Sequence, residues 1–438
     1  MLVILIFVLS VACGRADFGS GGTDSGNTSK NASNETTNND LPRAWTVDDG
    51  SGNSGTGNSG EIDEGGYYLF SPMGNKNIYL VDQSGYIVHL WETNHTGYSV
   101  YLPDNGNIIR SEITSNAYGF SSSGGATGRV AEYDPDANEV WSFYYADFYK
   151  MSHHDIEVLP NGNVLIVAWE KFSIEEAEEQ GINANEFNNT QIWADHVIEV
   201  DPTTNSIVWE WHIWDHLVQD YDSSKKNYGM IEQNPGKINI NFFSSSASDW
   251  THINSIDYNA ELDQIVLSVH NFSEIWIIDH SISSQEAETE KGDLMYRWGN
   301  PQTVNGTGER VLYNQHDVEW IENNRILIFN NGNMFQRPYS SVVEIEYSDE
   351  TVLGATDVVW DCDLGRQYYA SYVSGAQRLK NGNTLVCIGP SGTVLEVAPN
   401  GDILSEFIVR ATPTQTSELF NIKKFYSGFA GIINVLNH

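Results

Sequence analysis

Residues 156–167 read IEVLPNGNVLIV. Two β-prone runs flank an Asn-Gly-Asn corner, the pattern of a hairpin. The same figure returns as VYLPDNGNIIRS (100–111), IDYNAELDQIVLS (256–268), VEWIENNRILIF (318–329) and AQRLKNGNTLVC (376–387). A second figure alternates with it: a period-two strand, a turn, and a strand carrying Trp or Phe. Its copies are NIYLVDQSGYIVHLW (77–91), RVAEYDPDANEVWSF (129–143), HVIEVDPTTNSIVWEW (196–211), EIWIIDHS with LMYRW (274–298), VVEIEYS with DVVWDC (342–362) and TVLEVAPNGDILSEF (393–407). One copy of each makes a four-stranded unit, and the units number about six. Radial repetition of small sheets avoids exposed edges. The fold predicted over residues 66–438 is therefore all-β, a six-bladed β-propeller with rim insertions. A sixth hairpin copy is missing at the C-terminus, and GYYLFSP (66–72) is expected to complete the last blade and close the ring.

Three stretches break the rhythm. SIEEAEEQG (173–181) predicts a short helix, with Ser173 and Glu176 as a capping box and Gly181 as its stop. Residues 212–250 and 281–292 are longer excursions, which in repeat folds gather on one rim.

The composition agrees with a large folded body: 13 Trp and 22 Tyr supply core material. Acids number 59 against 22 bases, a net charge of -37, which argues against nucleic acid as partner because phosphate binding needs a basic stripe. The N-terminal run MLVILIFVLSVA is too short to span a bilayer and suits a signal-peptide core. Ser10 and Ala12 before Cys13-Gly14 predict lipoprotein-type processing over residues 1–13, with Cys13 as the lipidated terminus; an ordinary cleaved signal is the alternative. Residues 14–65, rich in Gly, Ser, Asn, Thr and Asp, read as a disordered N-terminal tether. The chain is thus expected to be exported, periplasmic or at the cell surface, and to meet a membrane only through that lipid anchor. Cys362 and Cys387 lie in predicted strands, and either one disulfide or two buried thiols is compatible with their positions. Oligomeric state is not encoded in any feature of the sequence.

Aligned on their turns, three consecutive hairpin copies carry a histidine at one phase: His154, His252 and His316. Ser99 and Ser374 stand near that place in the flanking copies. Matching places in successive blades face the axis alike, so the three imidazoles are expected to converge at one end of the central channel. Asn254 shares a strand face with His252, and His270 ends the partner strand IVLSVH within reach of the same place. Asp155 and Asp317 follow their histidines and are read as structural. Arg297, His153, His216 and Trp250 are assigned to the surrounding framework. Such a cluster suits a metal, for which neutral imidazole is a common ligand, and it equally suits transfer of an anionic group.

HHDIEVLPNGN, DWTHINSIDYN, LSVHNFSEIWIIDHS, YRWGNP, QHDVEW and SGAQRLKNGNTLVC together resemble the bacterial arylsulfate sulfotransferase family, from about Gly66 to the C-terminus. The resemblance implies a six-bladed propeller that moves a sulfuryl group from a phenolic sulfate donor to a phenol acceptor by a ping-pong route, without a nucleotide donor. It implies His316 as the nucleophile that becomes sulfohistidine and His154 as the residue serving the sulfuryl group or the leaving phenoxide. His252 and Asn254 would bind sulfuryl oxygens. His270 stands where the family often has arginine, which makes anion binding there dependent on protonation. No cofactor and no metal is expected on this reading. The rival readings are a metal-dependent hydrolase or lyase at His154, His252 and His316, and a surface propeller that binds a ligand without turnover.

Overall fold

Short period-two runs separated by tight corners build small antiparallel sheets. The computed structural model describes residues 65–438 except 121–123, 188, 244–246, 355–357 and 413–414. The signal segment, Cys13 and nearly all of the tether lie outside the described residues. Six four-stranded sheets follow one another as blades. Named from the innermost strand outward, blade 1 is Lys423–Phe425, Tyr67–Phe70, Asn77–Asp82 and Ile87–Glu92. Blade 2 is Gly97–Tyr101, Ile108–Ile113, Gly128–Tyr133 and Glu139–Tyr144, and blade 3 is Lys150–Val158, Val164–Ser173, Gln191–Asp201 and Ser206–His212. Blade 4 is Ile253–Asn259, Gln264–Val269, Glu274–Asp279 and Tyr296–Trp298. Blade 5 is His316–Glu322, Arg325–Asn330, Ser341–Glu346 and Val358–Asp363. Blade 6 is Gly375–Arg378, Thr384–Ile388, Thr393–Val397 and Ile403–Ile408.

Each hairpin figure supplies the two inner strands of a blade, and the second figure supplies the outer pair. The Asn-Gly corners need a left-handed residue, which Gly106, Gly162 and Gly382 provide at φ 85, 88 and 88. GYYLFSP does close the ring, but not as the end of the last blade. It pairs on one side with Asn77–Asp82 and on the other with Lys423–Phe425, so the sixth hairpin is split between the two ends of the chain. The short strand KKF lacks the length and turn that marked the other copies, and only the long-range pairing reveals it.

Blades stack through apolar faces. Val266, Ile275 and Ile277 of blade 4, for example, are buried with Ile326, Ile328, Val343 and Ile345 of blade 5. Each such side chain contributes roughly 1.5–3 kcal/mol by burial, against about 1 kcal/mol for a net hydrogen bond. Burial therefore holds the blades together, and polar contacts set how they sit. Two rings of polar contacts do this. On the outer side, tryptophans of the second figure donate to the turn of the next blade: Trp91 Nε1 to Asp134 O at 3.1 Å, Trp141 Nε1 to Asn205 Oδ1 at 3.1 Å, and Trp360 Nε1 to Pro399 O at 2.8 Å.

Around the channel, the innermost strands end their sheets among the described residues; the start of Lys150–Val158 is bridged by Ala126 and Ala146, and elsewhere side chains of the neighbouring blade bond the free edge. Asp155 Oδ2 accepts from Ile256 N at 3.3 Å, Ser255 Oγ from Val318 N at 2.9 Å, and Asp317 Oδ2 from Ala376 N at 2.8 Å. Gln377 completes the circuit at the closure, accepting from Lys424 N at 2.7 Å and donating to Lys424 O at 3.1 Å. Asp155 and Asp317 are thus structural acceptors between blades.

The insertions fold at the rim. Ile174–Gln180 is a helix with the capping box of Ser173 and Glu176, stopped by Gly181 at φ 100. Within 212–250, Leu217–Val218 and Ile238–Asn239 form a small parallel pair, and 281–292 contains a helix at Ser284–Ala287. A C-terminal helix that the repeats do not announce, Ala430–Leu436, buries Ile432 and Val435 beside Trp91 and Leu102. Cys362 and Cys387 are buried free thiols on different blades. Gln377→Ala removes both bonds that seat the closing strand and should lower stability by about 1–3 kcal/mol in a denaturant titration, with the circular-dichroism spectrum unchanged.

Candidate active site at the histidine end of the channel

The three phased histidines meet, and His270 joins them. Ring centroids are 4.5 Å apart for His154 and His252, 5.0 Å for His252 and His270, and 5.4 Å for His270 and His316. The innermost strands are deformed where they deliver these rings. His154 and His252 are left-handed at φ 52 and 55, as is Asp317 next to His316 at φ 49, and pairing registers shift at each place. Such bulges re-aim side chains that a regular strand would direct along its alternation. Ser374, the equivalent place in blade 6, has φ 85 and a hydroxyl that accepts from Gly389 N at 2.9 Å. Ser99 in blade 2 lies 3.1 Å from the Ser111 hydroxyl.

Partners on the far side of each ring decide where its protons sit. Asn331 Nδ2 donates to Ala370 O at 3.0 Å and Val373 O at 2.9 Å, which turns its Oδ1 to His316 Nδ1 at 2.8 Å. His316 therefore carries its proton on Nδ1, and its Nε2 lone pair accepts from Val373 N at 3.2 Å. His270 Nδ1 donates to Asn271 Oδ1 at 2.8 Å. His154 is held through a relay: its Nδ1 is 2.8 Å from His153 Nδ1, and His153 Nε2 is 2.7 Å from Asp195 Oδ1. With a proton of His153 on the Nε2 that faces the carboxylate, its Nδ1 can receive the Nδ1–H of His154, which leaves the lone pair of His154 on Nε2. His252 Nδ1 pairs with the Asp249 carboxylate.

Electrostatics divides the four. Burial drives His316 down to about 4, with His252 adding repulsion. Burial, then the neighbouring imidazoles, hold His154 and His270 well below the usual range. Burial also opposes the charge on His252, but Asp249, with Asp195 behind it, outweighs burial and leaves that pKa raised. Of the four rings, His252 thus favours the charged form, and His154, His270 and His316 favour the neutral one.

Asn254, fully buried, donates from Nδ2 to Gln315 O at 2.8 Å, just before His316, and its Oδ1 has no partner among the described residues. Arg297 stays outside the cluster, bound to Glu274 and to the backbone of the 212–250 insertion. His216 pairs with Asp293, and Trp250 donates to Phe242 O, so both serve that insertion. His153, by contrast, is an inner member of the site, stacked on Trp169 at 3.8 Å. Tyr98 and Phe420 flank His154 at 6.5 and 6.4 Å. His154, His252 and His316 do not bring three ligating atoms within the 4.8 Å that the outlying set Glu170, His196 and His212 achieves among the described residues. Farther down the channel the lining turns acidic: Asp155, Glu157, Asp257, Asp317 and Glu319 surround Lys423. Burial and the adjacent Asp317 raise Asp155 to about 7. Burial and the neighbouring Glu319 likewise raise Asp257 to about 8, so these acids carry only part of their charge near neutral pH.

The model of the family described as Arylsulfotransferase (ASST) matches residues 59–424. This chain belongs to the arylsulfotransferase family. Comparison with curated protein sequences finds no match. Among solved structures, a protein of unknown function from Bacteroides caccae is similar at 12% identity, covering 82% of this chain and 99% of that one, with a TM-score of 0.48. The periplasmic gluconolactonase of Pseudomonas aeruginosa is similar at 9% identity, covering 82% and 98%, with a TM-score of 0.40. Neither likeness bears on function.

Several residues of this arylsulfotransferase site carry no repeat signal: Asp195, Asp249, Asn331, Trp169 and Gly125. Asp249 in DWTHINS and Asn331 in FNNGN lie within quotable motifs, but their partners come from loops. Gly125, at φ 88, lies flat against the His154 ring, and a Cβ there would overlap Cε1, Nε2 and Nδ1. Gly125→Ala should displace that ring and lower kcat on an aryl sulfate on the order of 100-fold, while a thermal melt shows the propeller still folded.

Proposed function

We propose that the histidine cluster transfers a sulfuryl group from a phenolic sulfate ester to a phenol in two steps. His316 Nε2 attacks sulfur, the sulfur–aryl oxygen bond breaks, and the phenolate departs with the electron pair, leaving sulfohistidine at His316. The acceptor phenol then attacks sulfur, His154 Nε2 takes its proton, and the nitrogen–sulfur bond returns its pair to His316. The His252 imidazolium stabilises charge on the sulfuryl oxygens. Asp195 and His153 support the positive charge that His154 gains. Tyr98 and Phe420 offer aromatic faces for the aryl groups. The observation that carries this reading is the fixed tautomer of His316: Asn331 holds the proton on Nδ1, so the lone pair is on Nε2, which exchanges its bond from Val373 N for sulfur in a cluster where His252 favours the charged form.

Intact-mass analysis after mixing with a chromogenic aryl sulfate should reveal one added sulfuryl group, absent in His316→Ala together with all turnover. An undiminished rate in that variant, correctly folded, would remove the nucleophile assignment.

The pH dependence follows from the same protons. His316 must be neutral, so kcat/KM falls as pH drops through about 4. His252 must be charged, so activity also falls as pH rises through a value above 6.5. His270, held well below its usual range, loses its charge in the acid range, so donor KM is expected to rise with pH below 6.5 and to level off above it. His270→Arg should lower donor KM at neutral pH and flatten that dependence; an unchanged KM profile would separate His270 from donor binding.

A further inference from the structure

A second histidine group lies on the other face of blade 3. Asp195 and His196 are successive residues of one strand and point to opposite faces. Asp195 holds His153 on the channel side, so His196 faces blade 2, where Tyr145 Oη lies 3.0 Å from its Nε2. His212 is its cross-strand partner, with rings parallel within 2° and centroids 4.8 Å apart. Glu170 sits diagonally on the neighbouring strand, its Oε1 3.0 Å from His212 Nδ1. One ligating atom from each of Glu170, His196 and His212 falls within 4.8 Å of the other two. His196 is buried, and its Nδ1 has no hydrogen-bond partner among the described residues. Lys150, opposite Glu170, turns its ammonium over the Tyr145 ring at 4.5 Å.

We propose that Glu170, His196 and His212 form a divalent transition-metal site, of the kind zinc occupies, that staples the outer strands of blade 3 and takes no part in turnover. Two imidazole nitrogens and one carboxylate oxygen are a zinc donor set, with water completing the tetrahedron. Bond lengths near 2.1 Å require ligand atoms roughly 3.3 Å apart. The His212 and Glu170 atoms already meet that, and both side chains retain enough exposure, 24% and 20%, to swing toward His196. The position gives the metal a purpose. His212 is the last strand residue before the 213–250 excursion, and Glu170 lies just before the helix Ile174–Gln180. A bound ion would fasten the base of both insertions, adding to the strand pairing of His212 with His196 and of Glu170 with Ala194.

Titration of the untagged, chelator-treated full-length protein with zinc chloride tests this. A single equivalent should bind and raise the melting temperature. Glu170→Gln combined with His212→Ala should weaken binding by at least about tenfold, whereas His316→Ala should bind as the parent does. Aryl sulfate turnover should be equal with and without zinc. Absence of zinc uptake, or uptake kept by the double variant and lost in His316→Ala, overturns the proposal; the latter result would put the metal in the channel. If the double variant does not fold, Glu170→Gln alone, which preserves side-chain shape, gives the same comparison. Failure of sulfohistidine to form would leave this proposal untouched, because its readouts are zinc affinity and melting temperature.

Discussion

The axial edge of each innermost strand is the constraint on which the rest of this propeller depends. A strand facing a central channel has backbone donors with no neighbouring strand, and a buried donor left unmade costs about 1–3 kcal/mol. Here the next blade supplies a side chain instead: Asp155 to Ile256, Ser255 to Val318, Asp317 to Ala376, Gln377 to Lys424. These contacts fix the relative height of blades 3, 4, 5, 6 and 1 in turn. Apolar burial between blades is stronger but tolerates sliding, so it cannot do this alone.

That registration is what brings histidines from three blades to one level. The same inner strands abandon regular geometry just where they carry the imidazoles, with left-handed residues at His154, His252 and Asp317. Backbone strain at these places is held by the surrounding bonds: Ser111 Oγ donates to His154 O at 2.8 Å, and Asn254 to Gln315 O at 2.8 Å. Structure and site are therefore one network, with acids used as structural acceptors one residue away from the reacting groups.

Four imidazoles so close cannot all be charged. Asp249 selects His252 for the proton, while burial and mutual repulsion leave His154, His270 and His316 neutral. A net charge of -37 disfavours a sulfate ester over the molecule as a whole, and His252, the ring that favours the charged form, offers attraction at this end of the channel. The use of histidine at position 270, without a permanent charge, makes the site more sensitive to pH than one with arginine there.

The repeat of Asn-Gly hairpins and Trp-bearing strands determined the six-bladed architecture, because turn chemistry and strand alternation are local properties. Repeat phase likewise determined that His154, His252 and His316 would meet, since equivalent places in a radial array face one axis. The helix from Ile174 was legible in its own caps. Tertiary structure alone decided how the ring closes, for Lys423–Phe425 becomes a strand only by pairing with Tyr67–Phe70 at the other end of the chain. It alone decided the tautomers and charges: Asn331 and Asp195 reach His316 and His153 from other strands or loops, while Asp249, only three residues before His252, meets that ring through the local bend of the chain. It also decided that Gly125 lies against His154 and that the two cysteines remain apart. Local pattern specifies an element and its phase; burial, side-chain orientation and ring closure come from the packed fold, and no local pattern contains them.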